Sequence, residues 1–260
     1  MTALLFFKLW LFYAYSMTAF FIWAQMKKQM EWVDVAWVIN FSLILFFIMG
    51  NIAKPNQVQT AIAGMIIFWS IRLGLFLYTT RIRPKHADGR YAALAQRYGK
   101  HKNIKFFLFF QAQAVVNAFF SFTFLVPLIY GQGNLTVFQI LIVGIWFIAW
   151  IGETLSDLQL YLFKQNPNNK GKVCNVGLWR YSRHPNYFFE WLNWWALALF
   201  SLGLPFFYLA FIAPLLISFF LFKVTGIPMT EAQSLKSKGA AYAQYQKETS
   251  VFVPWFVKKA

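Results

Sequence analysis

Residues 180–190 hold the densest group of chemically capable side chains in the sequence: two arginines, a histidine, two tyrosines, an asparagine and a glutamate within eleven positions. The segment leads directly into the largely apolar stretch 191–207. Ionisable groups at a membrane edge are costly, so such a group indicates a site for a charged ligand that enters from the water side. The polar members are Arg180, Tyr181, Ser182, Arg183, His184, Asn186, Tyr187 and Glu190.

Carboxylates and amides extend this pattern into the apolar stretches. Glu153 and Asp157 are four residues apart and therefore share one helix face. Asn186, Glu190 and Asn193 repeat at helical spacing and predict a polar stripe. Each ionisable group inside an apolar stretch is a candidate site residue. The acids in or beside such stretches are Asp34, Glu153, Asp157 and Glu190.

Cations beside the apolar stretches suit a phosphorylated ligand. Arg81 and Arg83 directly follow one stretch, and Lys164 and Arg180 lie between two others. Arginine offers a planar set of donors that matches phosphate oxygens. We therefore predict a basic basin that binds phosphate groups.

Two side chains of the tail are assigned to the same site, and His184 has a separate role there. Residues 229–248 predict one amphipathic surface helix, which is either an interfacial anchor or a lid or wall of the site with Glu231 and Tyr245 facing in. His184 precedes a proline at the start of an apolar stretch, where it could orient the ligand as a hydrogen-bond donor or deliver a proton.

The composition places these residues in a membrane protein. The chain is 59% hydrophobic and 12% charged, whereas soluble domains average about 45–50% apolar and about 25% charged residues. We predict an all-α, polytopic membrane protein with a single membrane domain over 1–260, in which a three-span half (1–105) precedes a second half (106–260). The seven predicted spans are 4–25, 33–52, 61–80, 106–130, 136–161, 186–202 and 204–224.

The distribution of charge predicts the orientation. The net charge is +16, and most of the 24 lysines and arginines follow the first, third, fifth and seventh predicted spans. Excess Lys and Arg marks cytoplasmic loops, so the N-terminus is expected outside and the C-terminus in the cytoplasm. The same placement argues against a nucleic-acid partner, and no obligatory protein partner is evident.

The segment that runs from Gly177 through Tyr187 to Glu190 resembles the C-terminal catalytic domain of the steroid 5-alpha-reductase family, in particular its bacterial membrane branch. Isoprenylcysteine carboxyl methyltransferases and sterol C14 reductases share the motif in a looser form. Residues 31–39, 69–84, 152–159 and 252–255 also agree with the reductases, so the resemblance covers nearly the whole chain.

The resemblance implies a seven-helix reductase of the bacterial inner membrane that holds NADPH on the cytoplasmic side and takes a lipid or steroid-like substrate from the bilayer. Positions that match cofactor-contacting residues are Arg72, Arg81, Arg83, Asp157, Asn186 and Glu190. Glu153 stands where the reductases have asparagine, and Lys164 where they have arginine. With the motif and tail residues, the expected cofactor-binding set also includes Arg180, Arg183, His184, Tyr187, Glu231 and Tyr245. No metal site is predicted.

The positions that bind the substrate in the reductases hold different residues in this sequence. The reductases polarise the substrate carbonyl with a tyrosine of the third span, and Trp69 stands at that position. Indole only donates a hydrogen bond and cannot deliver a proton. We therefore predict that Asp34, with Trp69 or Tyr78, acts on the substrate. Two alternatives stay open: an S-adenosylmethionine-dependent membrane methyltransferase and a non-catalytic lipid-binding relative.

Overall fold

The computed structural model describes residues 2–84, 89–224 and 226–257. The chain is 80% helical, and no strand occurs among the described residues, which confirms the predicted all-α class. The ten α-helices among them are α1 (Thr2–Lys27), α2 (Trp32–Met49), α3 (Gln57–Leu77), α4 (Gly89–Tyr98), α5 (Lys102–Tyr130), α6 (Val137–Gln165), α7 (Pro185–Leu199), α8 (Ile212–Phe219), α9 (Ile227–Lys238) and α10 (Ala240–Glu248).

The helices make the chain a multi-pass membrane protein. Six helical segments of the described residues are long and apolar enough to cross a bilayer. The sixth predicted span, 186–202, is represented by α7, which has 15 residues. At about 1.5 Å per residue, that helix is shorter than the hydrocarbon core of about 30 Å. The other predicted spans correspond to α1, α2, α3, α5, α6 and the segment that contains α8.

The chain divides into two compact units. Unit 1 comprises residues 1–134 and 204–210, and unit 2 comprises residues 135–203 and 211–260. The predicted division between residues 105 and 106 falls within unit 1, at the beginning of α5.

Buried and partly buried polar side chains join α1, α2 and α5 in unit 1. The Ser16 hydroxyl donates to Asn40 Oδ1 at 2.5 Å, and Asn40 Nδ2 lies 3.5 Å from Asn117 Oδ1. The Tyr13 and Ser121 hydroxyls lie 2.6 Å apart. Hydrogen bonds of this kind stabilise helix association in a bilayer, where lipid tails are as apolar as the side chains they would replace.

In unit 2, α6 and α7 pack at close range because a glycine lies at their contact. A Cβ on Gly152 would approach the ring of Phe189 to 2.5 Å. The absence of a side chain at Gly152 therefore lets the polar face of α7 reach the carboxylates of α6.

The C-terminal tail differs from the single helix predicted over 229–248. Two helices, α9 and α10, occupy the segment, and Gly239 separates them with φ of +54°. Glycine tolerates positive φ, so the chain can turn there. The turn buries Tyr242 and Tyr245 of α10.

Candidate functional site

Amides of α7 bind carboxylates of α6 in unit 2. Asn186 Nδ2 donates to Asp157 Oδ1 at 3.2 Å, and Asn193 Nδ2 donates to Glu153 Oε2 at 3.0 Å. Glu153 and Asp157 are 4% and 6% exposed, and Asn193 is fully buried. The two helices run antiparallel, so the earlier carboxylate meets the later amide. The four side chains form a row that we call the amide–carboxylate ladder.

The ladder presents hydrogen-bond acceptors. The buried Oδ1 of Asn193 has no hydrogen-bond partner among the described residues. Glu190, on the same polar stripe of α7, accepts a bond from Trp194 Nε1 at 2.8 Å. An unpaired acceptor inside a protein is unfavourable, so Asn193 Oδ1 suits a group that brings its own donor.

A second cluster surrounds Glu231 in unit 2. Oε1 of Glu231 accepts from Arg183 Nε at 2.6 Å and lies 3.2 Å from His184 Nε2. Its other oxygen accepts from Gln246 Nε2 at 2.8 Å. The carboxylate of Glu231 is therefore fixed by residues from the motif and from α10.

His184 is held as a neutral donor in this cluster. Its side chain is 3% exposed, and burial lowers its pKa below the ordinary value of 6.5, while the Glu231 hydrogen bond opposes that shift without reversing it. A neutral imidazole next to a carboxylate carries its proton on the facing nitrogen, here Nε2. The ring also stacks on Tyr187 at a centroid distance of 5.3 Å, and the Tyr187 hydroxyl lies 3.3 Å from that of Thr230.

The motif is joined to the tail by a segment that we call the C-terminal strap, residues 245–255. The Tyr245 hydroxyl donates to the carbonyls of Trp179 and Ser182. The Ser182 hydroxyl donates to the Phe252 carbonyl at 2.7 Å, and the Trp255 N–H donates to the Tyr181 carbonyl at 2.9 Å. Burial raises the pKa of Tyr245, so this hydroxyl stays protonated and acts as a structural donor.

Arg183 is the main polar link to the strap. Its Nη1 donates to the carbonyls of Gln246 and Thr249 at 2.8 and 2.7 Å, in addition to the Nε bond to Glu231. An anion would have to approach this guanidinium through Nη2. The predicted phosphate-binding residues Lys164 and Arg180 are exposed instead.

The turn at the start of the motif is positioned by α6. Gln159 Oε1 accepts from the Leu178 N–H at 2.9 Å, and Trp179 Nε1 donates to the Ser156 carbonyl at 2.8 Å. Gly177 has φ of +55°, and a Cβ there would meet the Gln159 side chain at 2.4 Å. The sequence pattern predicts no positioning role for Ser182, Gln159 or Gln246. Their bonds to distant backbone or side chains have no local sequence signature.

In unit 1, the predicted substrate residue Asp34 lies in a cluster of its own. It forms an ion pair with Arg81, and its Oδ1 accepts from the Tyr91 hydroxyl at 2.8 Å. Arg90 Nη2 lies 3.8 Å from its Oδ2. Asp34 and Arg81, predicted to serve substrate and cofactor respectively, are thus direct partners.

The other residues predicted in unit 1 lie in different surroundings. Trp69 is 1% exposed and packs against Trp37 and Phe41, with ring centroids 5.9 and 5.8 Å away. In this conformation its indole belongs to the aromatic core. Tyr78 is 44% exposed, with its ring 6.3 Å from that of Trp32. Arg72 is half-buried on α3, and Arg83 is exposed.

A family model described as "Protein of unknown function (DUF1295)" matches residues 20–249. The chain belongs to the DUF1295 family. No curated protein matches it. Every residue predicted for the site, from Asp34 to Tyr245, lies within the matched region.

In this DUF1295 chain, unit 2 combines three elements useful for binding. The ladder offers acceptors, the Glu231 cluster offers a fixed imidazole, and Lys164 and Arg180 offer exposed cations. Such a set fits a ligand that carries hydroxyl or amide donors together with phosphate.

Proposed function

We propose that this protein is a membrane-embedded NAD(P)H-dependent reductase that acts on a double bond of a lipid or steroid-like substrate. The amide–carboxylate ladder carries the proposal, because it is a polar surface built between otherwise apolar helices. Buried polar groups inside a membrane protein have a cost that a ligand would justify. The resemblance of the motif to steroid 5-alpha-reductases, with which the DUF1295 family is associated, gives the reaction class.

The residues of unit 2 fit the chemistry of the proposed cofactor. Because the Asn186 nitrogen is used by Asp157, a ligand donor would meet the amide oxygen. Asn193 Oδ1 offers a second acceptor. Ribose hydroxyls and a carboxamide supply such donors, and the exposed Lys164 and Arg180 suit phosphates. The cofactor would supply a hydride, and the protein would bind and orient it.

The Glu231 cluster would fix the imidazole of His184 in one orientation, with the Nε2 proton used by Glu231 and Nδ1 left as an acceptor. Glu231 orients the imidazole of His184 and favours the Nε2–H tautomer. Arg183 and Gln246 fix that carboxylate in turn. Tyr187 stacks on the imidazole and restricts its rotation. Asp157, Asn186, Tyr187 and Glu190 would hold the ribose or carboxamide part of the cofactor, with Glu153 supporting them from α6.

In unit 1, Asp34 and its partners would serve the substrate. The Tyr91 hydroxyl and the Arg81 guanidinium fix the carboxylate, so Asp34 presents an oriented, charged acceptor at the start of α2. Trp69 and Tyr78 remain proposed substrate residues, and Arg72, Arg81 and Arg83 remain proposed cofactor contacts on the strength of the resemblance.

A methyltransferase that uses S-adenosylmethionine is the second candidate. The acceptor-rich ladder favours it, because carboxylate and amide oxygens also suit an ammonium group and a sulfonium. A non-catalytic lipid-binding relative would require neither cofactor.

Thermal unfolding in detergent separates these functions. A cofactor present at 100 times its dissociation constant adds about 2.7 kcal/mol of stability to the native state. We expect NADPH or NADH to stabilise the protein and S-adenosylmethionine to leave it unchanged. Asn186→Leu should abolish the effect, whereas Asn168→Leu, on the exposed loop after α6, should preserve it. Stabilisation by S-adenosylmethionine alone would replace the reductase by the methyltransferase, and stabilisation by neither would favour the lipid-binding relative.

A further inference from the structure

In unit 1, an exposed basic surface lies where the C-terminal end of α1 meets the N-terminal end of α5. Gln25 Nε2 of α1 lies 3.4 Å from Asn103 Oδ1 of α5, so the two helix ends are neighbours. The exposed cations on and beside these ends form what we call the basic rim: Lys27, Lys28, Arg97, Lys100, Lys102 and Lys105.

Aromatic rings hold two of these ammonium groups. Lys27 Nζ lies 4.6 Å from the centre of the Trp23 ring, and Lys105 Nζ lies 5.5 Å from that of Tyr98. Aromatic rings with a polar edge are enriched at the membrane–water interface. The cations of the basic rim are therefore placed where an interfacial group would meet them.

The nearby carboxylates leave the basic rim positive. Two acids of unit 1 are described, and Glu31 is 3% exposed. The other, Asp34, pairs with Arg81 and lies within 3.8 Å of Arg90. The rim therefore attracts anions.

Apolar side chains beside the cations indicate which anion fits. Met26, Ile104 and Leu108 are 70%, 63% and 59% exposed and lie on the same helix ends as the cations. A soluble phosphate has no apolar part that could contact these side chains. A phospholipid would bring its phosphate to the cations and its acyl chain to the apolar side chains.

We propose that the basic rim binds the headgroups of anionic phospholipids. Lys100, Lys102 and Lys105 would contact phosphate oxygens, and Ile104 and Leu108 would contact the upper acyl chains. The proposal is independent of the reductase reaction, because it uses none of the residues assigned to cofactor or substrate.

Native mass spectrometry with equimolar phosphatidylglycerol and phosphatidylcholine tests it. Each cation near an anionic lipid surface contributes about fivefold in affinity. We expect the unmodified protein to retain phosphatidylglycerol over phosphatidylcholine by at least about tenfold. The triple variant K100Q/K102Q/K105Q should fall below about twofold, and K100R/K102R/K105R should retain the preference because it keeps the charge.

The triple variant K170Q/K172Q/K247Q is the matched control, since it removes the same charge from exposed positions of unit 2. Equal loss in the control would mean that net charge alone sets the preference, and would overturn the proposal. Displacement of the lipid by millimolar inorganic phosphate would assign the rim to a soluble anion instead. If K100Q/K102Q/K105Q does not fold, the single variants carry the test, with a loss of about fivefold each expected.

Discussion

The carboxylate of Glu153 accepts a hydrogen bond from the Asn193 amide at 3.0 Å, with both residues at most 4% exposed. The bond joins the middle of α6 to α7, one residue after Gly152 on α6 and one helix turn after Phe189 on α7. A hydrogen bond to a charged group is stronger than one between neutral groups, so the pair contributes to the packing of the two helices as well as to the proposed site.

Asn193→Asp should destabilise the protein strongly. Two carboxylates at about 4 Å repel by about 4 kcal/mol in a protein environment of moderate dielectric. Glu153→Gln keeps an amide–amide bond and should cost only about 1 kcal/mol. Chemical unfolding in detergent micelles measures both. An Asn193→Asp protein as stable as the unmodified one would show that this contact does not form.

Gly152→Ala should destabilise the pairing of α6 and α7. The new methyl group would approach the Phe189 ring to 2.5 Å, and overpacking of this kind costs about 1–3 kcal/mol. Gly144 lies on the same helix with no atom within 4 Å of an added Cβ. Gly144→Ala should therefore stabilise α6 by about 0.5–1 kcal/mol. Thermal unfolding of the two variants side by side tests the contact, and equal effects would contradict it.

Arg183→Gln should loosen the C-terminal strap. The substitution removes donors to the Gln246 and Thr249 carbonyls and to Glu231. Leaving Glu231 without its cationic partner costs about 2–4 kcal/mol. We expect faster hydrogen exchange over 245–255. Arg180 is exposed, so Arg180→Gln should leave the exchange unchanged. Unaltered protection in Arg183→Gln would mean that the backbone bonds alone hold the strap.

The helical class and most of the helix positions were predictable, because runs of apolar residues of membrane length have few alternative structures. The i, i+4 and i, i+7 spacings also placed Glu153 with Asp157 and Asn186 with Asn193 on two polar faces. The break of the tail at Gly239 was missed, because a single glycine within a polar helical pattern is compatible with a continuous helix.

The motif shows the limit of reading chemistry from residue types. Arg183 was predicted as a ligand contact, yet three of its hydrogen bonds go to the strap and to Glu231. Likewise Tyr245 binds backbone carbonyls. Both depend on contacts across more than 45 residues of chain, which local spacing does not encode. Trp69 stays a predicted substrate residue, and its ring contacts with Trp37 and Phe41 are a further arrangement that local spacing does not encode.

The stability of the protein should fall as pH drops below about 6.5, the pKa of an unperturbed histidine. Burial lowers the pKa of His184 in the folded protein. Below pH 6.5 the unfolded chain binds a proton that the folded protein does not, so acid favours unfolding. The loss should begin near the ordinary pKa and level off once the pH has passed the lowered folded pKa. Thermal unfolding between pH 8 and pH 5 measures it.

His184→Gln isolates this contribution. Glutamine can still donate to Glu231 but has no proton to gain in this range, so the variant should be less stable at pH 8 and lose less on acidification. Arg183 and Glu231 face the imidazole in both proteins, and the exposed His101 is retained, so the difference between the two curves belongs to His184. A steeper loss in the variant, or a gain of stability in the unmodified protein below pH 6.5, would mean that the folded state favours the imidazolium paired with Glu231 over the neutral donor.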